Sequence, residues 1–467
     1  MSREQMIHDA AMEIMRDVGV RIHNEKAIEI FRNNGIRVEG NIAFFTEEEV
    51  MRWVKMAPES FTLYARNPKY NTVIGGSHIN PAPTYGCAFI DDWEGQRRRG
   101  SMEDYIKCLK LVEAEDNYKI NGGIMIQPGE INQETAAIQM FCATLLYSEK
   151  VIMLPTGYKN EMEVIMDMSC ELFGGKDALI EKPRMIALIN TVSPLALDER
   201  MLDCLMILAE HGQPVILCPA SMLGATSSIT MAGTLASGAA ESLAGIVLAQ
   251  MIRPGTPVVF GVQSTAADMK GGITFACAAP EGTLMQGFGA DLARFYGLPS
   301  RGGGCQTDAP VINCQAGYES MLTFSSAYRH GINLVMEAGG VMDSVNATSF
   351  EKMLIDFEII RQVIASFTPI EINEETLNLE EIKEIGHDGS FVTSESTLDY
   401  FMDVYSPHIG ERNGKGTEYF RENINKEMDR LMKKYEANRP VLDEEDKNKI
   451  KSVLKKAGVD ETILMEP

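Results

Sequence analysis

Histidine is scarce in this chain, with seven in 467 residues, and there are only two tryptophans. So few imidazoles argue against a histidine-rich metal site. Nine cysteines occur without a single C-x-x-C pair, and most, such as Cys142 and Cys204, sit inside apolar runs as small buried hydrophobes. That usage fits a reducing compartment, so a cytoplasmic location is expected. Basic charge is short as well: 43 Lys and Arg against 66 Asp and Glu give a net charge of −23. Nucleic acid and anionic membrane surfaces are therefore disfavoured as partners. No apolar run reaches the length of a membrane span. The longest, around Ile246–Val262, is broken by Gln250, Arg253, Pro254 and Pro257. The N-terminus reads straight into an amphipathic helix without an apolar signal core. Also missing are a Walker A sequence, a G-x-S-x-G elbow and a complete dinucleotide fingerprint; Gly287-Phe-Gly289 lies inside a helical pattern.

What the chain does contain is a period. Short apolar strands are expected to start near Lys119, Val151, Met185, Val215, Val258, Ser300 and Asn333, 30 to 43 residues apart, each gap holding one strong helical segment. Asp198–His211, closed by Gly212 and Pro214, is one such helix, and Gly238–Ile252, closed by Pro254-Gly255, is another. Continuous apolar strands alternating with amphipathic helices mean parallel strands buried on both faces. Seven such units, with either 84–90 or Ile370-Glu-Ile372 as the eighth strand, predict an α/β fold: a (β/α)8 TIM barrel. Residues 1–80 read as an N-terminal α+β cap, 81–373 as the barrel, and 374–467 as a charged helical segment for docking or oligomerisation. Within that segment, Thr417–Glu436 and Asp443–Lys456 are amphipathic.

Catalysis in a barrel belongs to the C-terminal strand ends. The ends offer amides and hydroxyls rather than a nucleophile–base pair. The stretch Leu298-Pro-Ser-Arg-Gly-Gly-Gly-Cys-Gln-Thr-Asp308 stands out, because three glycines let backbone and ligand approach closely before polar groups follow. Gln306 and Asp308 are the expected catalytic groups. Tyr85, Phe89, Phe260 and Phe391 are candidate walls for a cation, since a ring face attracts an ammonium that cannot donate hydrogen bonds. Arg301, His330 and His387 are candidate carboxylate partners, and Gln263 and Glu337 complete the expected substrate-binding set. Cys305 and Cys218 admit a rival reading as two ligands of a zinc thiol methyltransferase, although no third ligand is evident at a strand end. A non-catalytic barrel that only binds such a cation is a third reading.

Several blocks together resemble the trimethylamine methyltransferase family. They are Gly86…Asp91 followed by Gly95-Gln-Arg-Arg98 and Glu103-Asp104, the stretch Gly297–Asp308, Gln315-Ala-Gly-Tyr-Glu-Ser320, and Gly386-His-Asp-Gly-Ser-Phe391 with Thr397. The resemblance covers nearly the whole chain. It implies a barrel enzyme that moves a methyl group from a methylated amine to Co(I) of a corrinoid (cobalamin) on a cognate partner protein, with no cofactor held tightly by this chain. Only standard amino acids occur here, so the chain resembles the non-pyrrolysine branch acting on quaternary amines such as glycine betaine, proline betaine and carnitine. A homo-oligomer is expected.

Overall fold

The computed structural model describes residues 1–270, 272, 274–412 and 416–464. Eight parallel strands form one sheet: β1 (Asn80–Pro81), β2 (Ile120–Gly122), β3 (Val151–Leu154), β4 (Met185–Asn190), β5 (Val215–Cys218), β6 (Val258–Gly261), β7 (Ser300–Gly303) and β8 (Leu334–Met336). Each pairs with the next from β2 to β8, and β8 pairs back with β1, so the sheet wraps into a barrel. A long helix follows each strand: α1 (Met102–Ala114), α2 (Ala136–Tyr147), α3 (Lys159–Phe173), α4 (Glu199–Glu210), α5 (Met231–Ile252), α6 (Pro280–Phe295), α7 (Cys314–Arg329) and α8 (Phe350–Ser366), with a short second helix, Lys176–Glu181, after α3. This is the (β/α)8 architecture that the strand period predicts.

The closing strand corrects the sequence reading. It is Asn80–Pro81; Ile370-Glu-Ile372 is not a strand, and the 84–90 stretch contributes Phe89–Asp91 to a separate four-stranded sheet with Arg97–Arg99, Val341–Met342 and Ala347–Thr348. The reason lies in two prolines. Asn80 and Ala82 donate their backbone N–H groups to the Asn333 and Val335 carbonyls at 2.9 and 2.8 Å. The alternate positions, Pro81 and Pro83, face β2 and have no N–H to give. Just past them the chain joins the segment that follows β2 by two bonds, Gly86 N to Ile124 O at 2.6 Å and Gln127 N to Cys87 O at 2.8 Å.

Strand alternation fills the barrel. Val151, Met153, Ile186, Leu188, Ile216, Val259, Leu334 and Met336 form the inner cluster, and the hairpin Ser60–Leu63/Thr72–Gly75 adds Phe61, Leu63 and Ile74 to it. The complementary residues face the helices. The N-terminal helices Arg3–Asp17 and Glu47–Val54 pack on α5. By length and composition α5 could cross a membrane, yet 89% of its most apolar window is buried between that layer and the barrel. It begins at Met231, earlier than the sequence pattern suggests, because the Thr230 hydroxyl accepts from the Gly233 N–H at 3.3 Å. Both expected capping boxes form, Thr46 with Glu49 and Ser101 with Asp104. Helices Thr417–Ala437 and Glu444–Lys456 strap the outside, the first along α1 and α8 and the second against α3.

Candidate active site

The polar centre of the barrel is built on β7. Arg301 faces the lumen there, its side chain 1% exposed. One Nη donates to Glu337 Oε2 at 2.7 Å; the other donates to Gln263 Oε1 and reaches Cys218 Sγ at 3.4 Å. The ends of β5, β6 and β8 thus converge on one guanidinium. Glu337 adopts a positive φ of 52°, which a side-chain-bearing residue takes only where its surroundings enforce it. Burial lifts its carboxyl above the ordinary glutamate value, although Arg301 pulls the other way. Burial likewise pushes the Cys218 thiol up to about 11, against the pull of Arg301, so it stays a thiol at neutral pH.

Gly303 lies two residues past Arg301 and faces the same side. A Cβ there would stand 2.6 Å from Gln306 Nε2, so the missing side chain is the space that the Gln306 carboxamide fills. Gln306 is 0% exposed, and neither its Nε2 nor its Oε1 has a hydrogen-bond partner. Arg301 Nε is unpartnered too. Buried amides are almost always satisfied, and an orphan costs about 1–3 kcal/mol. Tyr85 closes the β1–β2 side. Its ring lies where a Gly123 Cβ would be 3.0 Å from Cε2, and its hydroxyl is 3.5 Å from Thr156 Oγ1. Burial raises that hydroxyl to about 12, so it remains protonated.

Behind the wall, a second pair holds the turns. Lys352 Nζ on α8 donates to the Cys305 carbonyl at 3.0 Å and to Asp356 at 2.7 and 2.5 Å, and both side chains are 0% exposed. Asp356 Oδ2 also accepts the Gly340 N–H at 2.6 Å. Cys305 has a φ of +50°, and its carbonyl additionally accepts from Ser320 Oγ at 3.1 Å. This pair fixes the loops after β7 and β8 from the helix side. Glu241 on α5 does the same for the loop after β4, accepting from Thr191, from Ser193 Oγ at 2.9 Å and from the Leu195 N–H at 2.8 Å. None of these three charged residues stands at a strand end, so the search of strand ends passed over them.

The structure brings together Tyr85, Gln263, Arg301, Glu337 and Gln306. Asp308 is spent on the loops: it accepts from Ser344 Oγ at 2.8 Å and from the Ala278 N–H at 3.2 Å. Phe89 stands on the hairpin above, with its ring already faced by Arg99 at 4.9 Å and Arg97 at 5.3 Å. Arg97 in turn bonds Asp91 at 2.7 Å and Asp343 at 2.9 Å, tying the hairpin to the loop after β8. Phe260 points outward and packs on Tyr296, ring centroids 5.6 Å apart. His330 caps the C-terminal end of α7 and lies against Gly287 of α6. His387 and Phe391 are exposed on the segment after α8. Cys218 belongs to the inner cluster and Cys305 to the barrel–helix layer, so the two thiols do not converge on one metal.

The fold and this lumen define a class: a TIM barrel whose lumen, at the C-terminal strand ends, is lined by fixed polar groups rather than by a nucleophile–base pair. The particular family follows from comparison. The model of the Trimethylamine methyltransferase (MTTB) family matches residues 1–458, and the chain belongs to that family. It is 38% identical over 414 residues to a glycine betaine methyltransferase of Desulfitobacterium hafniense (strain Y51), covering 88% of this chain and 86% of that one. It is 27% identical to a proline betaine:corrinoid methyltransferase of Eubacterium limosum, covering 85% and 83%. It is 30% identical to the trimethylamine methyltransferase MttB of Methanosarcina barkeri (strain Fusaro / DSM 804), covering 84% and 80%. Among solved structures, the Methanosarcina barkeri monomethylamine methyltransferase (MtmB) superposes with a TM-score of 0.49 at 11% identity, covering 92% of this chain and 98% of that one.

Proposed function

We propose that this protein transfers a methyl group from a betaine-type quaternary amine to Co(I) of a corrinoid carried by a cognate partner protein. The observation that carries the reading is the chain-long similarity to a glycine betaine methyltransferase, and the lumen suits that chemistry. The C–N bond breaks with its electron pair left on nitrogen, and that pair makes the departing tertiary amine neutral. The cobalt electron pair forms the new bond to carbon, so Co(I) becomes methyl-Co(III). No proton has to be delivered to the leaving group. A lumen in which the Glu337 carboxylate is engaged by Arg301 is therefore no obstacle.

In this reading the residues position and desolvate the substrate rather than exchange protons with it. The Gln306 carboxamide offers an unused donor and an unused acceptor to the bound zwitterion. Arg301 and Gln263 bias the lumen toward a carboxylate, and the Tyr85 ring gives the ammonium an apolar, polarisable wall. The test is to incubate the protein with a Co(I) corrinoid protein and a panel of betaines and to follow the cobalt spectrum. Methyl-Co(III) with one or more betaines is expected; no methylation with any quaternary amine would overturn the proposal.

A further inference from the structure

The strand ends are not equally open to solvent. At the ends of β6, β7, β8 and β1, the residues Gln263, Gln306, Glu337 and Tyr85 are all 8% exposed or less. The loops above them are laced together, Asp308 to Ser344 and to the Ala278 N–H, and Arg97 to Asp343. At the ends of β3, β4 and β5 solvent reaches in. There Tyr158, Asn190, Val192 and Ala220 are exposed, and Thr156 is half-buried. Glu241 accounts for the gap. By accepting from Ser193 Oγ and the Leu195 N–H at 2.9 and 2.8 Å, it draws the loop after β4 back onto α5, outside the barrel. The lumen therefore opens sideways.

One lumen-facing amide stands in that opening. Ile186 and Leu188 of β4 point into the inner cluster, so Asn190, two residues further on, points the same way. Its register partner on β5 is Cys218, whose Sγ lies 3.4 Å from an Arg301 Nη. The Asn190 carboxamide takes part in no side-chain hydrogen bond among the described residues, so nothing in the fold uses it.

We propose that Asn190 is a substrate contact at this threshold, and that it receives the ammonium end of the bound zwitterion while the carboxylate lies inward. The proposal rests on the methyl-transfer reading above and adds the direction of the substrate. The unpartnered donors, Gln306 Nε2 and Arg301 Nε, are on the closed side, and a carboxylate is drawn to them. Tyr85, whose hydroxyl is 3.5 Å from Thr156 Oγ1, sets its ring beside the end of β3, next to the opening. An Asn190 carboxamide oxygen turned toward N-methyl groups meets polarised C–H bonds. This direction also leaves a methyl group facing out. An eight-stranded barrel is just wide enough inside for side chains, so a corrinoid ring meets the methyl group only at the opening.

Asn190→Asp and Asn190→Lys test the direction, with glycine betaine, proline betaine and carnitine titrated calorimetrically in the absence of any corrinoid. The aspartate variant should bind at least as tightly as the unmodified chain. The lysine variant should bind about tenfold more weakly, since a like charge then faces the ammonium. In the cobalt assay the aspartate variant should nevertheless transfer more slowly at saturation, because its charge stabilises a cation that the transition state is losing. Asn190→Cys tests the opening itself. With the exposed Cys314 changed to Ser, a maleimide should alkylate the peptide carrying residue 190 in the free chain. A bound betaine should slow that reaction by about tenfold or more. An Asn190→Cys variant that the maleimide does not reach would overturn the proposal. So would a lysine variant that binds better than the aspartate one, or no binding of any of the three betaines. Binding in the expected order, without methyl transfer by the unmodified chain, would support this inference and overturn the function instead.

Discussion

Two ion pairs are buried on opposite sides of the β7–β8 wall, and they differ in one respect. Lys352 and Asp356, on the helix side, are fully used: the ammonium has three acceptors, and the carboxylate takes Lys352 and the Gly340 N–H. Arg301 and Glu337, on the lumen side, leave atoms over. Arg301 Nε has no partner, and the neighbouring Gln306 has none at either end of its carboxamide. Burial penalises unpaired polar groups equally on both sides. The satisfied pair is therefore scaffold, and the unsatisfied cluster is the one that the proposed function assigns to a ligand.

Breaking the scaffold pair should have the largest effect on the fold. Lys352→Met strands the Asp356 carboxylate and frees the left-handed turn at Cys305, and it should cost about 3–5 kcal/mol in denaturant unfolding. Adding Asp356→Leu should restore most of that loss, because two apolar side chains no longer leave a charge behind. A double variant as unstable as the single one would mean that the pair does more than neutralise itself.

The lumen side should respond in the opposite sense. Gln306→Leu keeps the volume and removes two orphaned atoms, so the protein should become more stable, by about 1 kcal/mol. Methyl transfer should nevertheless fall by about 100-fold, the usual loss when one preorganised hydrogen-bonding group is removed. Stability lost together with activity would make Gln306 a core residue like any other. Tyr85→Phe is the milder probe. Its hydroxyl is 3.5 Å from Thr156, too far for a strong bond, so stability should change by less than about 1 kcal/mol and the rate by less than about tenfold. A far larger loss of rate alone would place that hydroxyl against the reacting group.

Legibility divides along similar lines. Seven barrel strands could be read because parallel strands buried on both faces leave uninterrupted apolar runs. The eighth could not, since Asn80-Pro81 is two residues long and its prolines imitate a loop. Residues at strand ends that face inward, such as Arg301 and Glu337, could be found by position. Phe260 could not also face inward: it and Gln263 are an odd number of positions apart on one extended stretch, so both cannot point into the lumen. That parity was available in the sequence. Lys352, Asp356 and Glu241 carried no such signal, because each lies on a helix whose depth depends on tertiary packing.

The smallest effect belongs to the charges that fasten the outer strap. Glu427 on the helix Thr417–Ala437 accepts from Arg430 at 2.6 and 2.9 Å and faces His408 Nδ1 at 3.0 Å and Arg361 at 3.5 Å. Burial alone would raise its carboxyl, but Arg430 and His408 override that and hold it below the usual glutamate value. A carboxyl lowered in the fold stabilises fully above its unfolded value, near 4.5, and that stability is lost as pH falls through the folded value. The carboxylate is buried, but its partners His408 and Arg430 stand 42% and 47% exposed and an amide oxygen still accepts from them, so Glu427→Gln should cost about 1 kcal/mol or less at pH 7. In thermal melts from pH 7 down to 3, the unmodified chain should lose stability more steeply than Glu427→Gln below that point. Parallel curves would show instead that the strap is held by its apolar face, Ile424, Leu431 and Tyr435, all buried against the barrel helices. The outer ion pairs would then matter as little to the fold as Lys352 and Asp356 matter much.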